Sequence, residues 1–194
     1  MVKHDFYVLT APSRPQFGYI DQDPKGATKT FLVGEGRSFK GHLPSEAAIA
    51  LDAKHKEIKL EDFIANSLSW LIVSEKARVL LGAEPNPCEV YPLKVLDPKG
   101  RPIKTPYFLI HPVGTVDCVD LAKSEYDRSS MEPAMILGFQ RVVLHQRKIP
   151  PDRTLFRLKE NARTYIIRSD LLDKLKVAGV KGIQLLGLDT PVFI

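Results

Sequence analysis

Cysteine is almost missing from this sequence: Cys88 and Cys118 are the only two in 194 residues. Neither belongs to a Cys-x-x-Cys pair, and no Cys/His spacing matches a zinc site. Both lie in strand-like apolar surroundings, so two ordinary buried thiols are expected and no disulfide. No stretch of about 18 apolar residues occurs, which excludes a membrane-spanning helix and with it a membrane partner. The opening residues, MVKHDFYVLTAPS, lack the apolar core of a secretory signal, so the cytoplasm is the expected location.

Catalytic signatures are missing as well. The five histidines, His4, His42, His55, His111 and His145, form no HxxH or HExxH pattern. No G-x-S-x-G elbow presents a serine nucleophile. Gly34-Glu35-Gly36 superficially resembles a phosphate loop, but it runs on to Ser38 and Phe39 with no third glycine and no helical pattern. Asp117 and Asp120 stand three apart, and on a strand such residues face opposite sides. A turn-capping or ion-pairing role for Asp120 is preferred over an acid–base or metal pair. No catalytic residue, metal or cofactor is expected.

What is present is a core-forming composition: 44% apolar and 26% charged residues. The net charge is +5, with an isoelectric point near 9.1. The excess is uneven. Eleven basic residues fall between Arg141 and Lys181, opposed by Asp152, Glu160, Asp170 and Asp173. Such a stretch is either a solvated surface around a strand-rich core or a basic face for an acidic protein or nucleic acid. No RGG run, RNP-like aromatic pattern or helix-turn-helix signature accompanies it, so nucleic acid is the alternative and not the expected partner.

The chain is organised around Thr164–Leu188, which reads as strand, capped helix, strand. Tyr165-Ile166-Ile167 is β-branched and aromatic. Ser169 stands where an N-cap belongs, Asp170 suits the positive helix end, and Leu171, Leu175 and Ala178 make one apolar face. Gly179 is placed to stop the helix in the left-handed region. The same grammar occurs about 95 residues earlier: Trp70–Val73 as strand, Ser74 as cap, Ala77, Leu80 and Leu81 as stripe, Gly82 as stop, Cys88–Leu96 as the next strand. The two units are either an internal repeat or one local solution used twice.

Elsewhere, Asp5–Thr10 reads as a strand, and short strands are expected at Phe17–Ile20 and Thr30–Val33 within a punctuated stretch. Ala47–Lys59 fits helix or strand equally, and Leu60–Ser67 has helical spacing at Phe63, Ile64 and Leu68. Asp97-Pro98-Lys99-Gly100 is a turn joining Cys88–Leu96 to Ile103–Ile110 as a hairpin. Pro92 and Pro106 then belong at edge or bulge positions. Met135–Leu144 reads as a central strand and Leu155–Lys159 as a short element anchored by Phe156. The fold class is α+β: a mixed, mainly antiparallel sheet with two short Ser-capped helices and a loop-rich N-terminal region. Residues 1–61 are that region, with short strands packed on the same domain; residues 62–194 form the α+β domain.

Arg37, Phe39, Lys40 and His42 make a mixed basic and aromatic patch in the loop-rich stretch, of the kind that suits a contact surface. With Arg147, Lys148 and Arg153 from the basic stretch, they are the candidate partner-binding residues.

An ordered string of motifs carries a family resemblance. It comprises Leu71-Ile72-Val73-Ser74-Glu75-Lys76, the Pro92–Val95 strand, and Asp117-Cys118-Val119-Asp120-Leu121 with Ser124. Leu155-Phe156-Arg157-Leu158-Lys159 and Ile166–Leu171 running to Gly182 complete it. Over roughly Asp62 to Leu188 the chain resembles an immunity-protein family of bacterial polymorphic toxin systems, first noticed in myxobacteria. The resemblance implies a small cytoplasmic protein, made beside a secreted or contact-delivered toxin, that binds the cognate toxin domain and neutralises it. It carries over no catalytic residues. Separately, the free state is expected to be a monomer or weak homodimer. Two other readings remain: a nucleic-acid-binding module on the basic C-terminal stretch, and an enzyme built on Asp117 and Asp120 with Arg157 nearby.

Overall fold

The computed structural model describes residues 4–54 and 59–193; His55 lies outside them, as do residues 1–3 and 194. In chain order the elements begin with β1 (Phe6–Thr10), β2 (Tyr19–Ile20), α1 (Phe31–Gly34), β3 (Ala48–Ala50), β4 (Phe63–Asn66) and β5 (Leu71–Ser74). Next come α2 (Glu75–Gly82), β6 (Cys88–Leu96), β7 (Tyr107–Pro112), β8 (Glu125–Arg128) and β9 (Ile136–Arg141). The last are β10 (Leu155–Arg157), β11 (Tyr165–Arg168), α3 (Ser169–Val177), β12 (Gln184–Leu186) and β13 (Val192–Phe193).

The strand–helix–strand pattern forms twice, with one topology. In a six-stranded sheet ordered β2-β4-β5-β7-β6-β3, helix α2 carries the chain from β5 to β6, and β7 is inserted antiparallel between them. In a four-stranded sheet ordered β10-β11-β1-β12, α3 carries the chain from β11 to β12, and β1 is inserted antiparallel between them. The cross-strand rows correspond residue by residue. Ile64, Ile72, Leu109 and Tyr91 make one row; Phe156, Ile166, Val8 and Leu186 make its counterpart. The inserted strand follows the unit in the first case and precedes it in the second. β2 and β3 pair in parallel at the sheet edges, and the other strand pairs are antiparallel, so the α+β class with a mixed sheet stands.

Side-chain alternation assigns these rows to three cores. Ile64, Ile72 and Leu109 face an outer core completed by Ile20, Leu32, Val33, Phe39 and Ile49 from the N-terminal stretch. Val8, Phe156 and Ile166 face a second outer core, completed by Phe139, Cys118 and Val119 beneath the sheet β13-β9-β8. The alternate residues, Phe63, Leu71, Val73, Ile110, Leu9, Leu155, Tyr165 and Ile167, share a central core with Ala77 and Leu81 of α2 and Leu171, Leu172 and Leu175 of α3. The helices touch each other there.

Asp62 ties the two units together. Its carboxylate accepts from Ser74 Oγ at 2.6 Å and from the Lys181 amide at 2.8 Å, and it pairs with Lys76 Nζ at 2.9 Å. Lys76 also donates to the Gly179 carbonyl at the end of α3. Gly182 is required beside it: its φ is +83°, and a Cβ there would lie 2.7 Å from the Phe63 carbonyl oxygen.

Several expectations are corrected. Thr30–Val33 is not a strand; Phe31–Gly34 is one helical turn, set by Lys29 at φ +49° and the Leu32 and Val33 amides bonding back to Lys29 and Thr30. Leu60–Ser67 holds no helix: Phe63 and Ile64 are consecutive buried residues of β4, one facing each core, so the strand reads as a continuous apolar run. Ala47–Lys59 holds strand β3, and residues 55–58 lie outside the described ones. Ser74 does stand at the N-cap of α2, its Oγ 3.5 Å from the Ala77 amide. Ser169 is not a cap but the first helical residue of α3. Arg168 holds the N-cap position and binds both Asp170 oxygens at 2.8 Å. Gly179 takes the left-handed conformation as expected, whereas Gly82 stays inside α2. The hairpin strand expected from Ile103 begins at Tyr107.

Candidate functional site

The first basic patch changes character in the structure. Phe39 is fully buried, stacked edge-on against Trp70 and Tyr91, and is therefore not an exposed contact residue. The apolar demand of the outer core takes it. Arg37 and Lys40 are exposed, Arg37 pairing with Glu35 at 3.1 Å, and His42 is half-buried with Nδ1 3.1 Å from Thr28 Oγ1. The exposed aromatic of this region is Phe31, 55% exposed on α1. Its apolar neighbours in sequence, Leu32 and Val33, are buried, so no sequence signal singles Phe31 out.

Arg147 and Lys148 sit exposed on a single 3-10 turn, Gln146–Lys148, beside the second outer core. An open cleft of about 830 Å³ runs along this turn between Arg147, His145, His4 and Arg168. Arg153 is half-buried, with Nε enclosed and unbonded among the described residues. The two candidate groups therefore belong to the outer layers of different sheets.

Much of the basic stretch is paired within the chain, by Glu84, Asp117 and Glu125 from elsewhere and by Asp170 and Asp173 of the stretch itself. Arg141 pairs with Glu125, Lys148 and Lys159 with Asp117, Arg168 with Asp170, Lys174 with Glu84, and Lys176 with Asp173. Arg157 is buried outright. Arg147, Arg153, Arg163 and Lys181 have no carboxylate partner among the described residues.

Asp117 and Asp120 do not share a partner. Asp117 lies 2.7 Å from Lys159 Nζ, whose hydrogen bond holds its carboxyl below the usual range. Asp120 pairs with Lys123 at 3.2 Å and lies 3.6 Å from His145 Nε2, and its carbonyl closes a turn by accepting from the Lys123 and Ser124 amides. Burial pushes the Cys88 thiol up to about 11 and the Cys118 thiol up to about 12, so neither is a ready nucleophile. No cluster of three or more His, Cys, Asp or Glu among the described residues could hold a metal. No helix among them is long and apolar enough to cross a membrane.

Beneath these surfaces lies a polar network centred on Arg157. Its Nε donates to the Pro112 carbonyl at 3.1 Å and Nη1 to the Ala162 carbonyl at 2.6 Å; Nη2 reaches Tyr165 Oη and lies 3.2 Å from His111 Nδ1. The Arg37 carbonyl can only accept, so His111 Nε2, 2.8 Å away, carries the ring proton and Nδ1 presents its lone pair to Arg157. Burial lowers the His111 pKa and keeps this neutral form. Tyr165 in turn donates to the Ser69 carbonyl at 2.9 Å.

Ser69 belongs to the four-residue β4–β5 turn, built by the side chain of Asn66, the last residue of β4. Asn66 Nδ2 donates to the Ile64 and Trp70 carbonyls, and its Oδ1 accepts from the Leu68 and Trp70 amides. Ser69 is left at φ +56°. This turn, the chain leaving β1, and the starts of β11 and β13 enclose a cavity of about 440 Å³. Trp70, Leu186 and Val192 supply apolar wall, Ser67 and Gln184 polar rim, and Arg163 the sole charge among the lining residues.

One family model matches residues 10–189 of the chain, that of the immunity protein family Imm11. No curated protein matches the chain. The match takes in the N-terminal stretch from the end of β1 onward as well as the motifs from Asp62, and so includes residues of all three sheets and all three cores. On that match the chain belongs to the immunity protein family Imm11.

Proposed function

We propose that this chain is a stoichiometric inhibitor: it binds the folded domain of a cognate bacterial toxin, in the cytoplasm of the cell that makes it, and blocks it without chemistry of its own. The observation that carries this reading is the family match over residues 10–189. Two features of the site support it. The carboxylates that could have formed a reactive pair are each committed to local cations. The interior is held by three interlocked cores and a fixed polar network, which suits a body whose binding surface is preorganised. A standard interface of roughly 1,600 Å² with a few aromatic and arginine anchors would suffice for tight neutralisation.

The unmatched cations Arg147, Arg153, Arg163 and Lys181 give the partner's sign: the toxin presents an acidic surface to this chain. Arg37, Lys40 and His42 from the first patch, with Arg147, Lys148 and Arg153 from the second, are the contact candidates that remain after the burial of Phe39.

Co-expression tests the reading. With the toxin domain encoded beside its gene, the chain should restore growth, and the two should co-purify as one complex. A toxin that still kills, with nothing co-purifying, would refute it. A toxin domain of strongly basic isoelectric point would count against the acidic surface.

A further inference from the structure

We propose that the cavity beneath Arg163 is the socket for an acidic loop of the toxin, with a toxin carboxylate paired to the Arg163 guanidinium and a neighbouring apolar side chain seated on Trp70 and Leu186. The proposal rests on the immunity reading and names the surface that performs it.

Four observations lead to this place. First, six basic residues of the same stretch are matched by carboxylates within the chain, whereas Arg163 is exposed and has none among the described residues. Second, no acid lines the cavity, so the charge that meets Arg163 there comes from outside it. Third, at about 440 Å³ the cavity is within the roughly 300–1,000 Å³ range of binding pockets and takes one or two inserted side chains. Its mixture of apolar wall and polar rim suits a protein loop better than a free inorganic anion, which would need more than one cation or donor cluster.

Fourth, the socket is preorganised. Its rim is the Asn66-built turn, fastened by the Tyr165 bond to the Ser69 carbonyl, and Tyr165 is itself held by buried Arg157. The Arg163 stem is steadied too: its Nε would lie 3.3 Å from a Cβ placed on Gly34, so the arginine packs directly on the α1 backbone. That packing puts the charge beside the turn bearing exposed Phe31, an aromatic neighbour of the kind found at interface centres. An arginine whose stem is already held loses less freedom on pairing, and its fork matches a carboxylate with two bonds.

The test uses the full chain and the toxin domain, with affinity read by calorimetry. Arg163→Glu and Ser67→Trp are both changes at exposed positions; the first reverses the charge and the second obstructs the mouth. Lys99→Glu on the exposed β6–β7 turn and Met131→Glu on the exposed β8–β9 loop are the comparison variants. Each variant is first shown to melt within about 3 °C of the parent. Arg163→Glu and Ser67→Trp should each weaken binding at least roughly 30-fold, the loss typical of a central anchor, and a Glu→Arg or Asp→Arg change in the toxin should restore binding to Arg163→Glu. Lys99→Glu and Met131→Glu should change it less than about threefold.

Binding of Arg163→Glu within about threefold of the parent would overturn the assignment, as would a loss confined to the comparison variants. A concentration-dependent dimer of the toxin-free chain that Arg163→Glu dissolves would overturn it in favour of a second copy as the occupant. If the unmodified chain neither binds nor protects, the immunity reading itself falls, an outcome distinct from all of these.

Discussion

The sharpest stability prediction concerns Arg157, a fully buried guanidinium whose partners among the described residues are two carbonyls, a phenol and an imidazole, with no carboxylate among them. Its removal as Arg157→Met leaves the Pro112 and Ala162 carbonyls and His111 Nδ1 without a donor inside the protein. Each stranded acceptor costs about 1–3 kcal/mol. Relief from burying an uncompensated cation returns several kcal/mol. The expected net loss is about 3 kcal/mol, or about 6–12 °C in melting temperature for a chain of this size. Arg157→Lys separates geometry from charge. A lysine keeps the buried charge but cannot span four acceptors fixed in the plane of a fork, so it should be at least as destabilised as the methionine variant. Urea unfolding followed by circular dichroism, with equal m values, measures both. A lysine variant within about 1 kcal/mol of the parent would show that charge alone suffices; a methionine variant as stable as the parent would show that the fork contributes nothing net.

Three further outcomes are expected. Ser69→Gly should stabilise by about 0.5–1 kcal/mol in the same assay, because Ser69 sits at φ +56° where glycine carries no Cβ penalty, while Asn66→Ala should cost about 2–4 kcal/mol by removing four bonds from the turn. Asp62→Asn should cost about 2 kcal/mol and raise backbone exchange at both Ser74 and Lys181, since the carboxylate ties those two segments; exchange increased at one segment alone would contradict the bridging role. The Arg168 hydrogen bonds pull the Asp170 carboxyl from 3.8 to about 2. Its stabilisation is therefore full above about pH 4 and lost as pH falls towards 2. Asp170→Asn should melt below the parent at pH 6 and converge with it near pH 2, and a constant gap across that window would refute the assignment.

Some of this was legible in the sequence and some was not, for identifiable reasons. The Ser74 cap, the Gly179 stop, the Asp97–Gly100 turn and the strand Cys88–Leu96 are local solutions written in adjacent residues, and all four form. β4 was masked because a strand covered on both faces does not alternate, and its apolar run mimics helical spacing. α1 was masked because Phe31, Leu32 and Val33 favour strands by propensity, and tertiary burial of Leu32 and Val33 overrides that preference. Phe39 and Arg157 show the limit for site prediction. A phenylalanine between basic residues and an arginine in a basic run both look exposed, yet both are at 0% because distant strands close over them. Arg163 lay unremarked within the same run; its distinction is to be the one charge lining a cavity, which only the fold displays.

The insertion of β1 between β11 and β12 has a consequence for how the protein is made. Residues Phe6–Thr10 leave the ribosome about 155 residues before Tyr165, the first residue of the strand they must pair with. At roughly 5–20 residues per second that is a wait of about 8–30 s during which β1 has no sheet to join. The four-stranded sheet thus closes only once β11 and β12 have been made, and β1 stays unpaired until they are. A cell relying on such a chain for protection has to keep a finished stock in hand, because fresh synthesis answers an incoming threat with a built-in delay.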